Sequence, residues 1–243
     1  MKKTLIALMA LAGVAVADVT LVEMDFTTLT GNSNDNLPAG WSAGQYNGNG
    51  NVPYYTFGEN GAVVGQPWKQ NYLFTNLNID SQEKATISFT LYNSGEDTGN
   101  MFYLSSGTYS IVIGNSYNSN SEIYVGTLNE AVGRDYVCFQ PNTKINPTVL
   151  ANTTNYNVSG DISYTLTMLD GNMTIDVTVG DGGKWSTTIQ GMDDVMFNQI
   201  GFLTDGATGT AGVKDVTVSV PEPTTATLSL LALAGLAVRR RRK

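Results

Sequence analysis

An all-β fold, built as an antiparallel two-sheet sandwich, is predicted by three observations. Apolar and polar residues alternate with a period of two through most of the chain. Gly, Asn, Asp and Ser break that alternation at short intervals, and no convincing amphipathic helix interrupts it. A period of two puts one face of each strand in a core and the other in water, and many short strands between turn residues fold as a sandwich.

The strands follow in chain order. Val19–Phe26 opens the series, then Ala62–Gly65 and Tyr72–Ile79. Ala85, Ile87, Phe89 and Leu91 alternate with Thr86, Ser88, Thr90 and Tyr92 in the most regular segment. Met101–Ser105, Tyr109–Gly114, Glu122–Thr127 and Asp135–Gln140 fill the middle. Ile162, Tyr164, Leu166 and Met168 then alternate with Ser163, Thr165 and Thr167, and Met173, Ile175, Val177 and Val179 with Thr174, Asp176 and Thr178. Asp170-Gly171 lies between these two, and Asp-Gly favours the positive φ angles of a two-residue hairpin turn. Lys184–Gln190, Gln199–Thr204 and Val213–Val220 complete the set, with one helical turn expected over Met192–Asn198. Residues 152–157 read as a polar linker between strands. No fixed repeat stands out, which excludes a solenoid or propeller.

Both ends of the chain differ from this body. Met1-Lys2-Lys3, an apolar run from Thr4 to Val16 and the small residues Ala15-Val16-Ala17 have the layout of a secretory signal peptide, residues 1–17, cleaved to leave Asp18 first. The run is short for a membrane span. Residues 18–219 form one domain. Seven of the 13 Lys+Arg (Lys2, Lys3, Arg239, Arg240, Arg241, Arg242 and Lys243) and one of the 21 Asp+Glu (Glu222) lie outside it. Six cations against 20 anions leave the body at −14. So acidic a surface repels phosphate backbones and anionic lipid, which argues against nucleic acid as a partner.

Cys138 is the only cysteine, so no internal disulfide can form, and its strand-like setting reads as a buried thiol. The chain has no histidine. Its absence removes Ser-His-Asp and Cys-His nucleophile pairs, histidine metal sites and a neutral-pH general base.

The strand Leu21–Phe26 at the start, the Ile200-Gly201-Phe202-Leu203-Thr204-Asp205-Gly206 segment and the closing run Gly212–Val220 bracket the body. This ordering resembles concanavalin A-like (LamG-type) jelly-roll domains, in which a Gly-Phe strand precedes a final Val-rich strand that pairs with the first. The resemblance implies a lectin-like sandwich with both chain ends at one sheet edge.

The last 24 residues carry a sharper signal. Val220-Pro221-Glu222-Pro223 precedes an apolar run from Leu228 to Val238, and Arg239-Arg240-Arg241-Arg242-Lys243 ends the chain. In kind, order and position this resembles the PEP-CTERM sorting signal of exported bacterial proteins. The resemblance implies recognition by an exosortase, a membrane transpeptidase that cuts near the triplet, after signal peptidase has acted at the other end. Thr224–Val238 as a helix spans only ~22 Å at 1.5 Å per residue, against about 30 Å of hydrocarbon. With the basic cluster held on the cytoplasmic side, residues 220–243 suit a transient inner-membrane stop before release to the cell surface or the extracellular space.

Candidate chemistry in the body is sparse. Some lectin-fold glucanases use a Glu-x-Asp-x-x-Glu strand; Glu23 and Asp25 match its first two positions, but Thr28 stands at the third, so the strand reads as solvated surface. The acidic pairs Asp193-Asp194 and Glu96-Asp97 read as turns. Asn32, Asn34, Asp35 and Asn36 crowd one loop and Asp205-Gly206 begins another, and hard oxygen ligands of this kind admit calcium. Trp41, Tyr46, Tyr54, Tyr55, Phe57, Trp68 and Tyr72 sit among Gly and Asn. Rings beside amides can stack on sugar faces, which makes Trp41 and Trp68 the expected glycan-binding residues; the alternative is rings that pin a loop to the sandwich. The expectation is a non-catalytic exported protein whose sandwich binds a glycan or polysaccharide. A glycan-active hydrolase or lyase on the same fold, or a purely structural envelope component, are the alternatives.

Overall fold

The computed structural model describes residues 18–45, 54–64, 70–94, 98–115, 122–132, 147–152, 159–180, 182–206 and 210–222. The expected strand at Asp135–Gln140 with Cys138, the Glu96-Asp97 pair, Tyr46, Trp68 and the tail from Pro223 lie outside them. In chain order the strands are β1 (Asp18–Asp25), β2 (Gly31–Asn32), β3 (Trp41–Gln45), β4 (Tyr55–Gly58), β5 (Gly61–Val64), β6 (Asn71–Asp80), β7 (Ala85–Ser94) and β8 (Thr98–Ser105). They continue as β9 (Ser110–Asn115), β10 (Ile123–Leu128), β11 (Thr148–Asn152), β12 (Gly160–Leu169), β13 (Asn172–Val179), β14 (Lys184–Ile189), β15 (Met196–Gly206) and β16 (Thr210–Pro221).

They form two antiparallel sheets. One has nine strands in the order β14-β13-β12-β7-β16-β5-β4-β2, with β1 also on β16; the other has seven, β11-β10-β9-β8-β15-β6-β3. β16 is shared by three neighbours. Along one side it pairs with β7. Along the other, Gly212 and Val213 face β5, and the stretch from Asp215 to Pro221 faces β1. First and last strands therefore pair, as the lectin-like ordering implied.

Alternation decides which residues meet between the sheets. Ile87, Phe89 and Leu91 of β7 are buried while Thr86, Ser88 and Thr90 between them are not. Phe89 stacks between Phe102 of β8 (4.3 Å between centroids) and Tyr164 of β12 (4.7 Å), with Phe202 of β15 edge-on at 5.8 Å. Polar side chains also tie the sheets across the core. The Asn100 amide on β8 donates to the carbonyls of Tyr92 on β7 (3.2 Å) and Gly212 on β16 (2.6 Å). Thr204 on β15 donates to the Tyr55 hydroxyl on β4 at 2.9 Å. Buried polar groups left unpaired cost more than such bonds gain, so these ties help fix how the sheets sit on one another.

The Asp-Gly hairpin forms as expected. Asp170 (φ 49°) and Gly171 (φ 70°) turn β12 into β13, with Leu169 opposite Asn172. The expected helical turn over Met192–Asn198 does not form. Asp193 and Asp194 make a tight turn with Asp194 at φ 57°, and β15 begins at Met196. The backbone at Met192 and Val195 is already bonded elsewhere: the Met192 amide donates to Gly171 and the Val195 carbonyl accepts from Ser81. The strands β2, β3, β4 and β11 were not expected, and a 3-10 turn at Phe26–Thr28 ends the first strand one residue early, capped by the Asp25 side chain.

Candidate functional site

The outer face of the seven-stranded sheet departs from ordinary alternation. β9 is buried on both faces. Its unbroken Ile111-Val112-Ile113 run is the signature of a strand covered on both sides. A second apolar cluster, separate from the main core, gathers Met101, Tyr103, Val112, Leu128, Val132 and Leu203 there, with Tyr72, Phe74 and Tyr124 partly buried against it. Among the described residues, Val132 after β10 packs onto this face. The Val132 amide donates to Ser110 Oγ (3.1 Å), whose hydroxyl bonds the Glu130 carbonyl (2.7 Å), and this pins residues 130–132 over the strands.

Register places two rows of side chains across this face. One runs Gly44, Tyr72, Leu203, Met101, Gly114 and Tyr124; its neighbour runs Ser42, Phe74, Gly201, Tyr103, Val112 and Gly126. Rings lie over glycines in both. A Cβ on Gly44 would stand 2.1 Å from the Tyr72 ring, and one on Gly201 would stand 2.5 Å from the Tyr103 ring. The glycines let these rings lie down on the sheet instead of standing away from it.

Between them opens a depression of about 350 Å³ lined by Ser42, Tyr72, Phe74, Tyr103, Val132 and Gln199. Tyr72 and Phe74 form a tilted pair 6.0 Å apart. The Tyr103 hydroxyl donates to Gln199 Oε1 (3.1 Å), and Gln199 Nε2 in turn reaches Asn76 Oδ1 (3.4 Å). Asn76, Asn78 and Asn198 carry the surface on into a second, more open depression. Burial, and more weakly the neighbouring Tyr55 and Tyr72, push the Tyr103 hydroxyl far above its usual range, so it is a hydrogen-bond donor at any physiological pH. Tyr124, at the end of its row, is pushed up to about 12 by burial and by its bond to Glu122. Two half-exposed rings beside a shelf of neutral amides offer stacking and hydroxyl-directed hydrogen bonds; among the described lining residues no carboxylate stands where general acid–base chemistry would need one.

Several expected sites are placed elsewhere. Trp41 is a correction: it lies between the sheets, 9% exposed, edge-on to Phe26 at 5.0 Å and stacked on Phe202 at 6.4 Å, so it has no free face for a sugar. β3 turns this ring inward because Trp41 pairs with inward-facing Thr75, and Ser42, the next residue, faces out. Tyr55 and Phe57 are core as well. Only Tyr72 of the described rings expected to stack reaches the outer face. Glu23 and Asp25 sit at an edge of the other sheet, where Asp25 accepts from the Thr27 amide at 2.9 Å.

The Asn32–Asn36 loop, one of the two expected to admit calcium, is tied internally. Its side chains satisfy one another and the backbone: Asn32 Nδ2 donates to Asp35 (2.9 Å), Asn32 Oδ1 accepts from the Asn34 amide (2.9 Å), and Asn36 donates to the Thr30 carbonyl (2.7 Å). Among the described residues no cluster of three or more acidic, Cys or His side chains gathers around one point. Nor, among them, is any helix long and apolar enough to cross a membrane.

The two-sheet topology with paired terminal strands defines a lectin-type sandwich, and comparison with solved structures places it among concanavalin A-like folds. The Ca2+/Man2-bound exoplasmic/lumenal domain of VIP36 superposes with a TM-score of 0.55 at 11% identity, covering 82% of this chain and 87% of that one. The Lotus tetragonolobus seed lectin matches at 0.53 and 9% identity, over 83% and 100%. An apo Crh5 transglycosylase matches at 0.52 and 15% identity, over 87% of each chain. The chain ends in a PEP-CTERM protein-sorting motif, matched over residues 219–243. No curated protein matches its sequence.

Proposed function

We propose that this is an exported exosortase substrate whose lectin-like sandwich binds glycan without transforming it, on the outer face of the seven-stranded sheet. The sorting motif supports export, processing at the inner membrane and display at the cell surface or beyond. One observation carries the binding reading: Tyr72, lying over Gly44, and Phe74, 6.0 Å from it, present partly exposed rings beside the Gln199–Asn76 amide pair. Rings lying flat stack on pyranose faces, and neutral amides bond hydroxyls without the desolvation penalty of buried charge. Two structures similar to this one carry mannose-type sugar or lectin in their description, which supports the reading at the level of the fold. Trp68, which lies outside the described residues, is a further ring proposed to contact glycan.

A glycan array probed with the purified body, with and without calcium, tests this. Binding should appear with the unaltered protein and be lost in Tyr72→Ala/Phe74→Ala while that variant still unfolds cooperatively with the native circular dichroism spectrum. Retained binding in that double variant but loss in Trp68→Ala moves the site to the neighbouring segment; turnover of a bound oligosaccharide overturns the non-catalytic reading.

A further inference from the structure

The sorting motif does not leave the fold as a free tail. β16 runs through Val220 to Pro221, so the first proline of the motif is still part of a sheet. Its hold there is thin. Pairing with β7 stops at Ser219, opposite Thr86. Beyond it, Val220 and Pro221 have one strand neighbour among the described residues: Val19 stands opposite Val220, and Asp18 opposite Pro221. The register then breaks between Thr20 and Val22, leaving Leu21 as a bulge that separates this short terminal pairing from the regular β1–β16 ladder. The first four residues of β1 are all exposed, Val19 at 37% and Leu21 at 42%. Three residue pairs on an exposed edge, beyond a bulge, open far more readily than the ladder behind them.

We infer that Asp18–Thr20 is a clamp that competes with the processing enzyme for the same strand edge. Peptidases bind the segment they cut as an extended strand, paired through its backbone. The backbone of residues 219–221 is already paired in this way, with the chain's own N-terminal strand. The enzyme engages the motif by displacing that partner, and the Leu21 bulge confines the displacement to three residues, so the rest of the sandwich stays folded. On the signal-peptide reading Asp18, the residue that its removal leaves first, stands directly opposite Pro221, the first proline of the motif, about one strand spacing (4.8 Å) away. This inference rests on the reading of the tail as a processed sorting signal.

The test uses the full chain in its native host with Cys138 replaced by Ser, and reads loss of the Arg239–Lys243 tail by intact mass. Cross-linking Val19→Cys to Val220→Cys should slow tail loss by about tenfold or more, because cleavage follows the population of the open end, and reductant should restore it. A Glu23→Cys/Thr217→Cys cross-link, on the far side of the bulge, should leave processing unchanged. Val19→Gly, which loosens the clamp without a cross-link, should speed it. Wild-type tail loss in the Val19–Val220 cross-linked chain overturns the clamp, and so does equal inhibition by the Glu23–Thr217 cross-link or no acceleration by Val19→Gly. An unaltered chain that keeps its tail overturns the sorting reading and the clamp together.

Discussion

Trp41 shows how one ring can be read two ways from sequence. Its Gly- and Asn-rich neighbours point to an exposed loop, yet it stacks in the core with Phe26 and Phe202. Trp41→Ala should therefore lower stability by about 3–5 kcal/mol, the usual cost of emptying a large buried aromatic site. Denaturant unfolding measures this, and a loss below about 1 kcal/mol would place the ring at the surface after all. Asp215 offers a titration test. Half-burial raises its carboxyl above the usual range; the bond from Thr90 opposes this, and Asp25 directly across the strand pair adds to it. With the folded value above the unfolded one, its contribution is favourable below the ordinary carboxylate value of about 3.9 and is lost as pH rises through the folded value. Asp215→Asn should thus raise the melting temperature at pH 7 relative to the native chain, and the gap should close as pH falls through that window.

At the level of elements, the hairpin at Asp170-Gly171 was legible because its two residues and the flanking alternation all demand one turn. Its docking was not legible: the Gly171 amide donates to Ser81 at 2.9 Å, and a Cβ there would stand 2.8 Å from Asp193 Oδ1. Gly171→Ala combines positive φ with that contact and should cost about 1–2 kcal/mol. Gly58→Ala, where no atom lies within 4 Å, should be nearly neutral. Thermal melts of both variants compare the two positions directly. Two of the missed strands, β2 and β3, share a different cause. β3 reads Trp-Ser-Ala-Gly-Gln and β2 has two residues, so neither holds an apolar period long enough to register. The neighbouring strands β6 and β4 make them strands by supplying hydrogen-bond partners.

For the whole molecule, the mature protein from the native host should begin at Asp18 and lack Arg239–Lys243, as intact mass will show. Residues 18–222 alone should give a strand-dominated circular dichroism spectrum, because the buried residues described in the main core run from Phe26 to Val218. Ending the chain at Val218 instead removes every residue that pairs with Asp18–Thr20 and should free that end to hydrogen exchange while the β7–β12 ladder stays protected.

The sequence alone determined the sandwich class, the regular strands β7, β12, β13 and β16, and the sorting motif of residues 219–243, because each of these is written in local pattern: a period of two, an Asp-Gly turn, a Pro-Glu-Pro triplet before an apolar run and a basic cluster. The pairing of first and last strands was what the resemblance to concanavalin A-like domains implied. Only the tertiary structure decided which rings are core and which face outward, since that depends on the register between strands far apart in the chain. Trp41 points inward because it pairs with Thr75, and Tyr72 points outward because it pairs with Gly44, whose missing side chain leaves room for the ring. A shift of one residue would exchange those faces, and no local pattern near either residue fixes it.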